Sequence, residues 1–315
     1  GWVRLSSNEN PYPPSPEAIS KIMDGLFSVN RYPGNEVELK TAIGELYNRK
    51  PENVLIGNGS NELIEMSLKT MKHSKKNKVI ISEPSFAFYT IASRIYGYEP
   101  VKAPLVKMKV DLEVIRELVD DYTRLIFLNN PNNPTGTIFN DKEFKSFLKD
   151  LPPDILVVVD EAYAEFVESR VFPDTFSYID DYPVVILKTF SKAYGLAGLR
   201  IGYGIGEESI VSFLERTKQP FSVNMMAIMA AKAALTDRKY LEKVLNNNRR
   251  GKRFLYTALK SLSIEFVPTE ANFILMRIGP DAESVTKRFF DEKILVRWMR
   301  AYNLSQYIRV GIGTM

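Results

Sequence analysis

The stretch VVILKTFSKAYGLAGLRIGY, residues 184–203, begins as an apolar strand and runs into a turn rich in hydroxyl, glycine and basic residues. Similar short, β-rich runs recur along the chain and alternate with amphipathic segments of helix length. This alternation is typical of a parallel sheet covered by helices on both faces. The sequence therefore predicts an α/β fold, in which ligands bind at the carboxyl edge of the sheet.

Several runs before residue 204 predict strands, and segments between them predict helices. The helical segment at residues 141–149 follows Asn140, which is a suitable N-cap. Other helices are predicted at residues 61–71 and 86–97. The predicted strands cover residues 54–56, 79–82, 125–128, 155–160, 184–188 and 200–203.

The pattern changes after about Val223, where long helices precede a strand-rich tail. This mixture is typical of a small α+β domain. We predict a large domain of residues 30–250 and a small domain of residues 1–29 and 251–315, joined through a long helix. The predicted strands of the tail cover residues 264–267, 272–278, 294–297 and 307–312, with one helix near residues 282–290.

Composition argues against several classes of protein. The 315 residues are 45% hydrophobic and 25% charged, as in ordinary globular proteins, and the net charge is +4 without a block of like charges. With no cysteine and one histidine, His73, we expect neither a metal site nor a Ser-His-Asp triad. The spread of charge predicts no nucleic-acid partner, and the absence of a long apolar run predicts no membrane partner. With no cysteine and no signal peptide, we expect a cytoplasmic location. Because the sequence starts at Gly1 and stops after a strand-like run, we expect trimmed ends.

The turn after residue 188 carries the residues that predict chemistry. Lys192 lies at a strand end beside hydroxyl groups, where desolvation would make its amine a nucleophile toward a carbonyl cofactor. Thr189, Ser191 and Arg200 are donors of the kind that bind a phosphate by charge-assisted hydrogen bonds. A lysine that forms a Schiff base beside a phosphate site points to pyridoxal 5′-phosphate.

A second group of polar residues follows other predicted strands. Asp160 ends an apolar strand and is suited to face a protonated pyridine nitrogen. Tyr163 and Asn133 could hydrogen-bond to the 3-oxygen of the ring. The turn GNGSNE, residues 57–62, leads into a helix, so its backbone amides would bind an anion. Each residue alone has a structural explanation, but their joint order favours a cofactor site.

With these motifs in order, the whole chain resembles the fold-type I, aspartate-aminotransferase-like superfamily of pyridoxal-phosphate enzymes. Within it the chain is most similar to the histidinol-phosphate aminotransferases, of class II, and their aromatic aminotransferase relatives. The resemblance implies a large domain with a mostly parallel, seven-stranded sheet between helices, plus a small α+β domain. The motifs that carry it are NENPY (8–12), GNGSNE (57–62), NPTG (133–136), DEAY (160–163), Ser191-Lys192 with Arg200, and IRVGIGT (308–314).

The resemblance also implies roles for single residues. Lys192 would be the Schiff-base lysine and carry protons, and Phe86 would stack on the cofactor ring. Tyr32 would reach the phosphate of a neighbouring subunit, so the family implies a homodimer with shared active sites. It further suggests cis peptide bonds before Pro84 and Pro134. The cofactor-binding residues that it implies are Tyr32, Ser60, Asn61, Glu62, Phe86, Asn133, Asp160, Tyr163, Thr189, Ser191 and Arg200.

The same resemblance predicts the substrate. Arg309 would hold the acidic group of the substrate, and Arg297 matches a second arginine with which the histidinol-phosphate members grip a phosphate. The implied reaction converts L-histidinol phosphate and 2-oxoglutarate to imidazole acetol phosphate and L-glutamate, in histidine biosynthesis. Alternatively, Arg297 could pair with Asp291 or Glu292 on the surface. Those members usually carry a Pro-Tyr segment upstream of the region that matches Asn8, and this sequence starts too late to show it.

Other functions stay open at this point. An aromatic amino acid aminotransferase would use the same residues, with Arg309 holding a carboxylate. A decarboxylase of the threonine-phosphate type would share the cofactor pocket but release carbon dioxide. Outside enzymology, the chain could be a cofactor-binding sensor domain, like the aminotransferase-like half of certain transcription regulators.

Overall fold

A computed structural model describes residues 1–34 and 36–315. None of the helices among these residues is both long and apolar enough to cross a membrane. The α-helices are α1 (Pro16–Leu26), α2 (Val37–Tyr47), α3 (Gly59–Thr70), α4 (Ala87–Ile95), α5 (Leu112–Glu117), α6 (Asp141–Lys149), α7 (Glu208–Glu215), α8 (Met225–Thr236), α9 (Arg238–Ser261) and α10 (Ala282–Asp291).

The β-strands fall into one large sheet and two smaller ones. The strands are β1 (Val3–Arg4), β2 (Val54–Gly57), β3 (Lys78–Glu83), β4 (Glu99–Pro104), β5 (Thr123–Asn129), β6 (Leu156–Asp160), β7 (Val184–Thr189), β8 (Gly202–Gly206), β9 (Glu265–Val267), β10 (Phe273–Arg277), β11 (Ile294–Leu295), β12 (Arg297–Trp298) and β13 (Tyr307–Gly311).

The large sheet has seven strands in the order β2-β8-β7-β6-β5-β3-β4. Strands β4, β3, β5, β6 and β7 run parallel, whereas β8 is antiparallel to both of its neighbours. Alternate residues of β6 pack into two separate apolar clusters, with Val157 and Val159 on one face and Leu156 and Val158 on the other. Helices therefore cover both faces, and the predicted α/β fold with a mostly parallel sheet is confirmed.

The remaining strands form a small antiparallel sheet in the order β12-β13-β10-β9, beside a parallel pair of β1 and β11. Ile274, Ile308 and Val310 contribute to a separate apolar cluster under this sheet. The 24-residue helix α9 connects it to the large sheet. Helix α1 packs through Ala18 into the cluster of the large sheet. The domain bounds at residues 30 and 250 stay a prediction.

Candidate active site

A cavity of about 420 Å³ lies where β5, β6 and β7 end, between the large and the small sheet. This is the carboxyl edge at which open α/β sheets bind ligands. The predicted residues that line it are Ser60, Asn61, Phe86, Asn133, Asp160, Tyr163, Thr189, Ser191, Lys192, Arg200, Arg297 and Arg309. The fold thus brings together side chains from both sheets.

Two predicted residues lie outside the lining of this cavity. The Glu62 carboxylate accepts hydrogen bonds from the backbone N–H of Asn58 at 2.5 Å and from Ser222 Oγ at 3.0 Å. These bonds fix the Gly-rich turn that carries Ser60. Tyr32 is 78% exposed and stacks on Phe221, with ring centroids 4.5 Å apart. Its assignment to the phosphate of a second subunit stays a prediction.

Lys192 projects into the cavity from the turn that follows β7. Its Nζ donates a hydrogen bond to the backbone oxygen of Ser7 at 3.1 Å and lies 5.7 Å from the centre of the Tyr163 ring. Burial, followed by the positive charge of Arg309, lowers the pKa of Lys192 to about 8. The amine is thus much closer to its neutral, nucleophilic form near neutral pH than an exposed lysine is.

Asp160 ends β6 and is held in a fixed orientation. Tyr89 Oη donates to Asp160 Oδ2 at 2.6 Å, and the backbone N–H of Ala162 donates to Oδ1 at 3.0 Å. Burial raises the pKa of Asp160, and the Tyr89 hydrogen bond opposes that rise. A buried carboxylate with these partners is well suited to accept a proton or to face a cationic nitrogen.

Two amides and a phenol lie beside the carboxylate. Asn8 Nδ2 donates to Tyr163 Oη at 3.0 Å. The backbone N–H of Asn133 donates to Asn129 Oδ1 at 2.8 Å, and Asn129 Nδ2 donates to the backbone oxygen of Asp160 at 2.9 Å. Burial raises the pKa of Tyr163, so its hydroxyl keeps its proton and can donate it in a hydrogen bond.

Hydroxyls and a guanidinium gather at the other end of the cavity. Arg200 Nη1 lies 3.4 Å from Ser191 Oγ, and the backbone N–H of Ser191 donates to Thr189 Oγ1 at 3.1 Å. Gly59 has a φ of +72°, and a Cβ there would lie 2.5 Å from Arg200 Nη2. The glycine therefore lets the guanidinium approach the N-terminus of α3, where backbone N–H groups favour an anion.

Arg309 is a buried cation on β13. It donates to Asn133 Oδ1 through Nη1 and to the backbone oxygen of Ser6 at 2.8 Å through Nη2, while its buried Nε has no hydrogen-bond partner in the described residues. Burial lowers the pKa of Arg309. A buried cation without a carboxylate partner is costly, so an anionic ligand would stabilise it.

Arg297 lies directly across from Arg309 in the pairing of β12 with β13. It is exposed and reaches the cavity wall. No carboxylate of the described residues forms a salt bridge with it, so the alternative pairing with Asp291 or Glu292 is absent there. The two guanidiniums therefore border the same end of the cavity.

Phe86 caps α4 and is half-buried at the cavity wall, in an edge-to-face contact with Tyr89 at 5.5 Å. The peptide bond between Glu83 and Pro84 is cis, as expected. The expectation of a second cis bond, before Pro134, is wrong. The cis bond of that loop lies one turn earlier, between Asn130 and Pro131.

Sequence reasoning missed the residues that orient the predicted ones. Tyr89 and Asn129 each bond to Asp160, and Asn8 bonds to Tyr163. Tyr89 could have been found from its spacing, because it follows Phe86 by three residues and so lies on the same helix face. A buried tyrosine hydroxyl also needs a polar partner. Asn8 and Asn129 carry no such local signal, since their partners are distant in sequence.

The family model for the class I and II aminotransferases matches residues 1–315. The chain belongs to this family. Among curated relatives, the histidinol-phosphate aminotransferase of Moorella thermoacetica is 38% identical over 99% of this chain and 81% of its own length. The histidinol-phosphate aminotransferase 2 of Pseudomonas fluorescens Pf-5 is 38% identical over 99% of this chain and 84% of its own length.

A solved structure extends the similarity to the fold of this aminotransferase. The histidinol-phosphate aminotransferase from Sinorhizobium meliloti, in complex with pyridoxal-5′-phosphate, superposes with a TM-score of 0.92. It is 26% identical, and the match covers 99% of this chain and 86% of that one. The fold-type I architecture predicted from the sequence is confirmed.

Proposed function

We propose that this aminotransferase uses pyridoxal 5′-phosphate to transfer the amino group of L-histidinol phosphate to 2-oxoglutarate. The products are imidazole acetol phosphate and L-glutamate, which gives the enzyme a place in histidine biosynthesis. The observation that carries the proposal is a single cavity that holds Lys192, with its pKa near 8, together with two arginines. The names of the curated relatives support the choice of amino donor.

The cavity suits the proposed cofactor in charge and shape. Ser191, Thr189 and Arg200 offer hydroxyl and guanidinium donors to a phosphate, beside the turn that Gly59 keeps open. Asp160 offers a buried carboxylate to the pyridine nitrogen. The geometry supports this assignment because both groups lie in one cavity with a nucleophilic lysine.

The bound cofactor would supply a carbonyl that condenses with amines and a ring that delocalises the electron pair of a broken Cα–H bond. Lys192 Nζ would hold that carbonyl, and its free amine would accept the proton from the donor Cα as a general base. Asp160 would hold a proton at the pyridine nitrogen. The Tyr163 hydroxyl would donate a hydrogen bond to the 3-oxygen and so orient the ring.

The arginines orient the donor. A phosphate carries close to two negative charges at neutral pH, and two guanidiniums bind it better than one. Arg309 comes from the strand opposite Arg297, so both forks can contact one anion. With the phosphate fixed at this end, the donor Cα is directed toward Lys192. The 2-oxoglutarate carboxylate binds the same residues in the second half of the cycle.

A half-reaction tests the proposal. Protein loaded with pyridoxal phosphate is mixed separately with histidinol phosphate, phenylalanine, tyrosine and O-phosphothreonine. The absorbance of the lysine-bound cofactor is followed, because it is lost when the cofactor takes up the amino group. We expect rapid conversion by histidinol phosphate alone. Conversion by the aromatic amino acids instead would make the chain an aromatic aminotransferase, and release of carbon dioxide from O-phosphothreonine would make it a decarboxylase.

Lys192→Ala tests the covalent role of Lys192. Because no other lysine lines the cavity among the described residues, we expect this variant to lose the borohydride-reducible attachment of the cofactor completely. Lys149→Ala, at an exposed lysine of α6, is the matched control and should retain it. A trapped adduct in Lys192→Ala would contradict the assignment.

The proposal includes a homodimer with shared active sites. Phe27 is 93% exposed and Tyr32 78%, and Met23, Leu26 and Val29 between residues 23 and 32 are also exposed. Monomeric proteins rarely expose so large an apolar surface, so a second copy of the chain is a suitable cover. The cytoplasmic location stays a prediction.

A further inference from the structure

A buried charged cluster lies behind the cavity, and the mechanism above does not use it. Lys188 is 5% exposed and Glu161 is 2% exposed. Lys188 Nζ lies 3.1 Å from Glu165 Oε1 and 3.5 Å from Glu161 Oε2. Burial of three charged groups is costly even when they are paired, so stabilisation of the fold alone does not account for this cluster.

The cluster connects two segments that carry cofactor residues. Lys188 is on β7, directly before Thr189 and four residues before Lys192. Glu161 directly follows Asp160. Glu165 lies in the 3₁₀ turn Ala164–Phe166, two residues after Tyr163. Through these ion pairs, Lys188 connects the strand before Lys192 with the segment that carries Asp160 and Tyr163.

Neighbouring hydrogen bonds make this connection rigid. The backbone N–H of Glu161 donates to Leu187 O at 2.8 Å, and that of Ala164 donates to Glu161 O at 3.0 Å. Thr175 Oγ1 donates to Glu161 Oε1 at 2.5 Å. Burial opposes the charge of Lys188, yet Glu165, Tyr47 and Glu161 hold the pKa of Lys188 well above its ordinary value. The lysine thus carries its charge between the two carboxylates.

We propose that Lys188, Glu161 and Glu165 form a positioning cluster that aligns Asp160 and Tyr163 with Lys192 before the cofactor binds. This inference rests on the proposed function, because it assigns those three residues to one cofactor. Successive side chains of one strand point to opposite faces of the sheet, so Lys188 lies on the face opposite Thr189 and outside the lining of the cavity. Its effect passes through the backbone of the two segments.

The test compares isosteric substitutions of two glutamates, each of which pairs with a buried lysine. Glu165→Gln leaves Lys188 with a single carboxylate at 3.5 Å. Glu168→Gln is the matched control, because Glu168 pairs at 2.6 Å with Lys252, a 6% exposed lysine outside the lining of the active-site cavity. Both should lower the melting temperature. Only Glu165→Gln should also raise the dissociation constant for pyridoxal phosphate and lower kcat, each about tenfold, because misalignment of reacting groups slows chemistry.

Comparison of kcat with the KM for the amino donor distinguishes an effect on positioning of the reacting groups from an effect on donor binding. Arg309 and Arg297 lie on the small sheet, so KM for the amino donor should change less than about twofold in Glu165→Gln. Wild-type values of kcat and of the cofactor dissociation constant in this variant would overturn the inference. Equal losses in Glu165→Gln and Glu168→Gln would overturn it as well.

Hydrogen exchange of the wild-type chain tests the cluster without any variant. After removal of the cofactor, the amides of Glu161 and Ala164 should exchange as slowly as in the loaded protein, because the ion pairs hold this segment. Acceleration beyond about tenfold on removal would overturn the inference. Failure of the wild-type chain to bind pyridoxal phosphate would instead overturn the proposed function, so the two failures are distinguishable.

Discussion

At the scale of single residues, the pKa of Lys192 predicts how its reactivity depends on pH. In the cofactor-free protein burial lowers this pKa to about 8, so half of the amine is neutral near pH 8 and nearly all of it is neutral above pH 9. We expect the rate of labelling of Lys192 by fluorodinitrobenzene to rise between pH 6 and 8 and to level off above pH 9. Mass spectrometry of the labelled peptides measures it.

The exposed Lys149 is the internal control for this measurement. The free side-chain amine of Nα-acetyl-lysine has a pKa of about 10.4, so its labelling under the same conditions should continue to rise through pH 10. A profile of Lys192 that follows that of Lys149 would show that its amine is not desolvated. The sign of the linkage is also fixed: the unfolded chain binds more protons between pH 8 and 10, so the burial of Lys192 destabilises the fold at low pH and less so as the pH rises.

The two arginines predict a difference between amino donors. Arg309→Lys removes a planar fork from a buried site, so we expect kcat/KM to fall about a hundredfold, or ~3 kcal/mol, with every donor. Arg297→Gln should lower it about tenfold with histidinol phosphate and little with phenylalanine, because only a phosphate engages both guanidiniums. Arg277→Gln, at an exposed arginine of β10 bonded to Glu265, is the control. Equal losses with both donors in Arg297→Gln would refute the phosphate assignment.

The site residues that were predictable from sequence are those whose chemistry and position agree. Lys192 and Asp160 follow apolar strands, and parallel strands present their carboxyl ends at one edge. Asn8 and Asn129 escaped prediction because their roles depend on contacts with Tyr163 and Asp160 that join distant parts of the chain. Glu62 accepts hydrogen bonds from the backbone of its own turn and from Ser222, and the motif alone does not predict these contacts.

At the scale of elements, the turn before α3 predicts the effect of a methyl group. Gly59→Ala puts a side chain at φ +72° with its Cβ 2.5 Å from Arg200 Nη2. We expect a loss of unfolding free energy of about 1–2 kcal/mol, since left-handed backbone is unfavourable for alanine. Displacement of Arg200 should also weaken cofactor binding. Chemical denaturation and a cofactor titration measure the two effects.

Gly198→Ala is the control for this substitution. Gly198 lies in the nearby 3₁₀ turn Ala197–Leu199, and a Cβ there meets nothing within 4 Å. Its stability and cofactor affinity should stay near those of the wild type. If Gly59→Ala retained full cofactor affinity, the turn and Arg200 would not act together at the phosphate.

Elements with strong local signals were predicted well. Helix α6 begins and ends as expected, and Asn140 forms a capping box with Glu143 through bonds of 2.9 and 2.7 Å. Strand β4 was missed because it is an edge strand with two prolines, a composition unlike that of a central strand. Strand β8 starts at Gly202 and not at residue 200, because Arg200 adopts a left-handed conformation that ends the preceding turn.

At the scale of the whole molecule, alternating strand and helix signals predicted a parallel sheet covered by helices, because such signals allow few topologies. The number of strands, seven, came from the family resemblance. The strand signals did not predict that β8 is antiparallel to its neighbours or that β1 pairs with β11. Both depend on contacts between segments far apart in the chain. Likewise, the pairing of Arg297 with Arg309 follows from the register of the small sheet, which strand signals alone do not give.

The exposed apolar residues between 23 and 32 predict the assembly and its effect on the site. Phe27→Asp replaces an apolar side chain that is 93% exposed in the single chain with a charged one. Folding of the chain should therefore be unaffected. If a second copy covers this side chain, the charge should weaken the dimer by at least about 2 kcal/mol, or roughly thirtyfold. Sedimentation velocity over a range of concentrations measures this. Leu262→Asp, at a 67% exposed residue at the end of α9, is the control and should leave the dimer intact.

Phe27→Asp and Tyr32→Phe together test whether the active sites are shared between two copies. If Tyr32 of a second copy completes the phosphate site, monomeric Phe27→Asp should lose cofactor affinity in step with the loss of dimer, and high protein concentration should restore both. Tyr32→Phe should lower cofactor affinity while the dimer persists, because it removes one hydroxyl and keeps the ring that stacks on Phe221. A wild-type chain that sediments as a monomer and retains full half-reaction activity would exclude shared active sites, since every catalytic contact would then come from one chain.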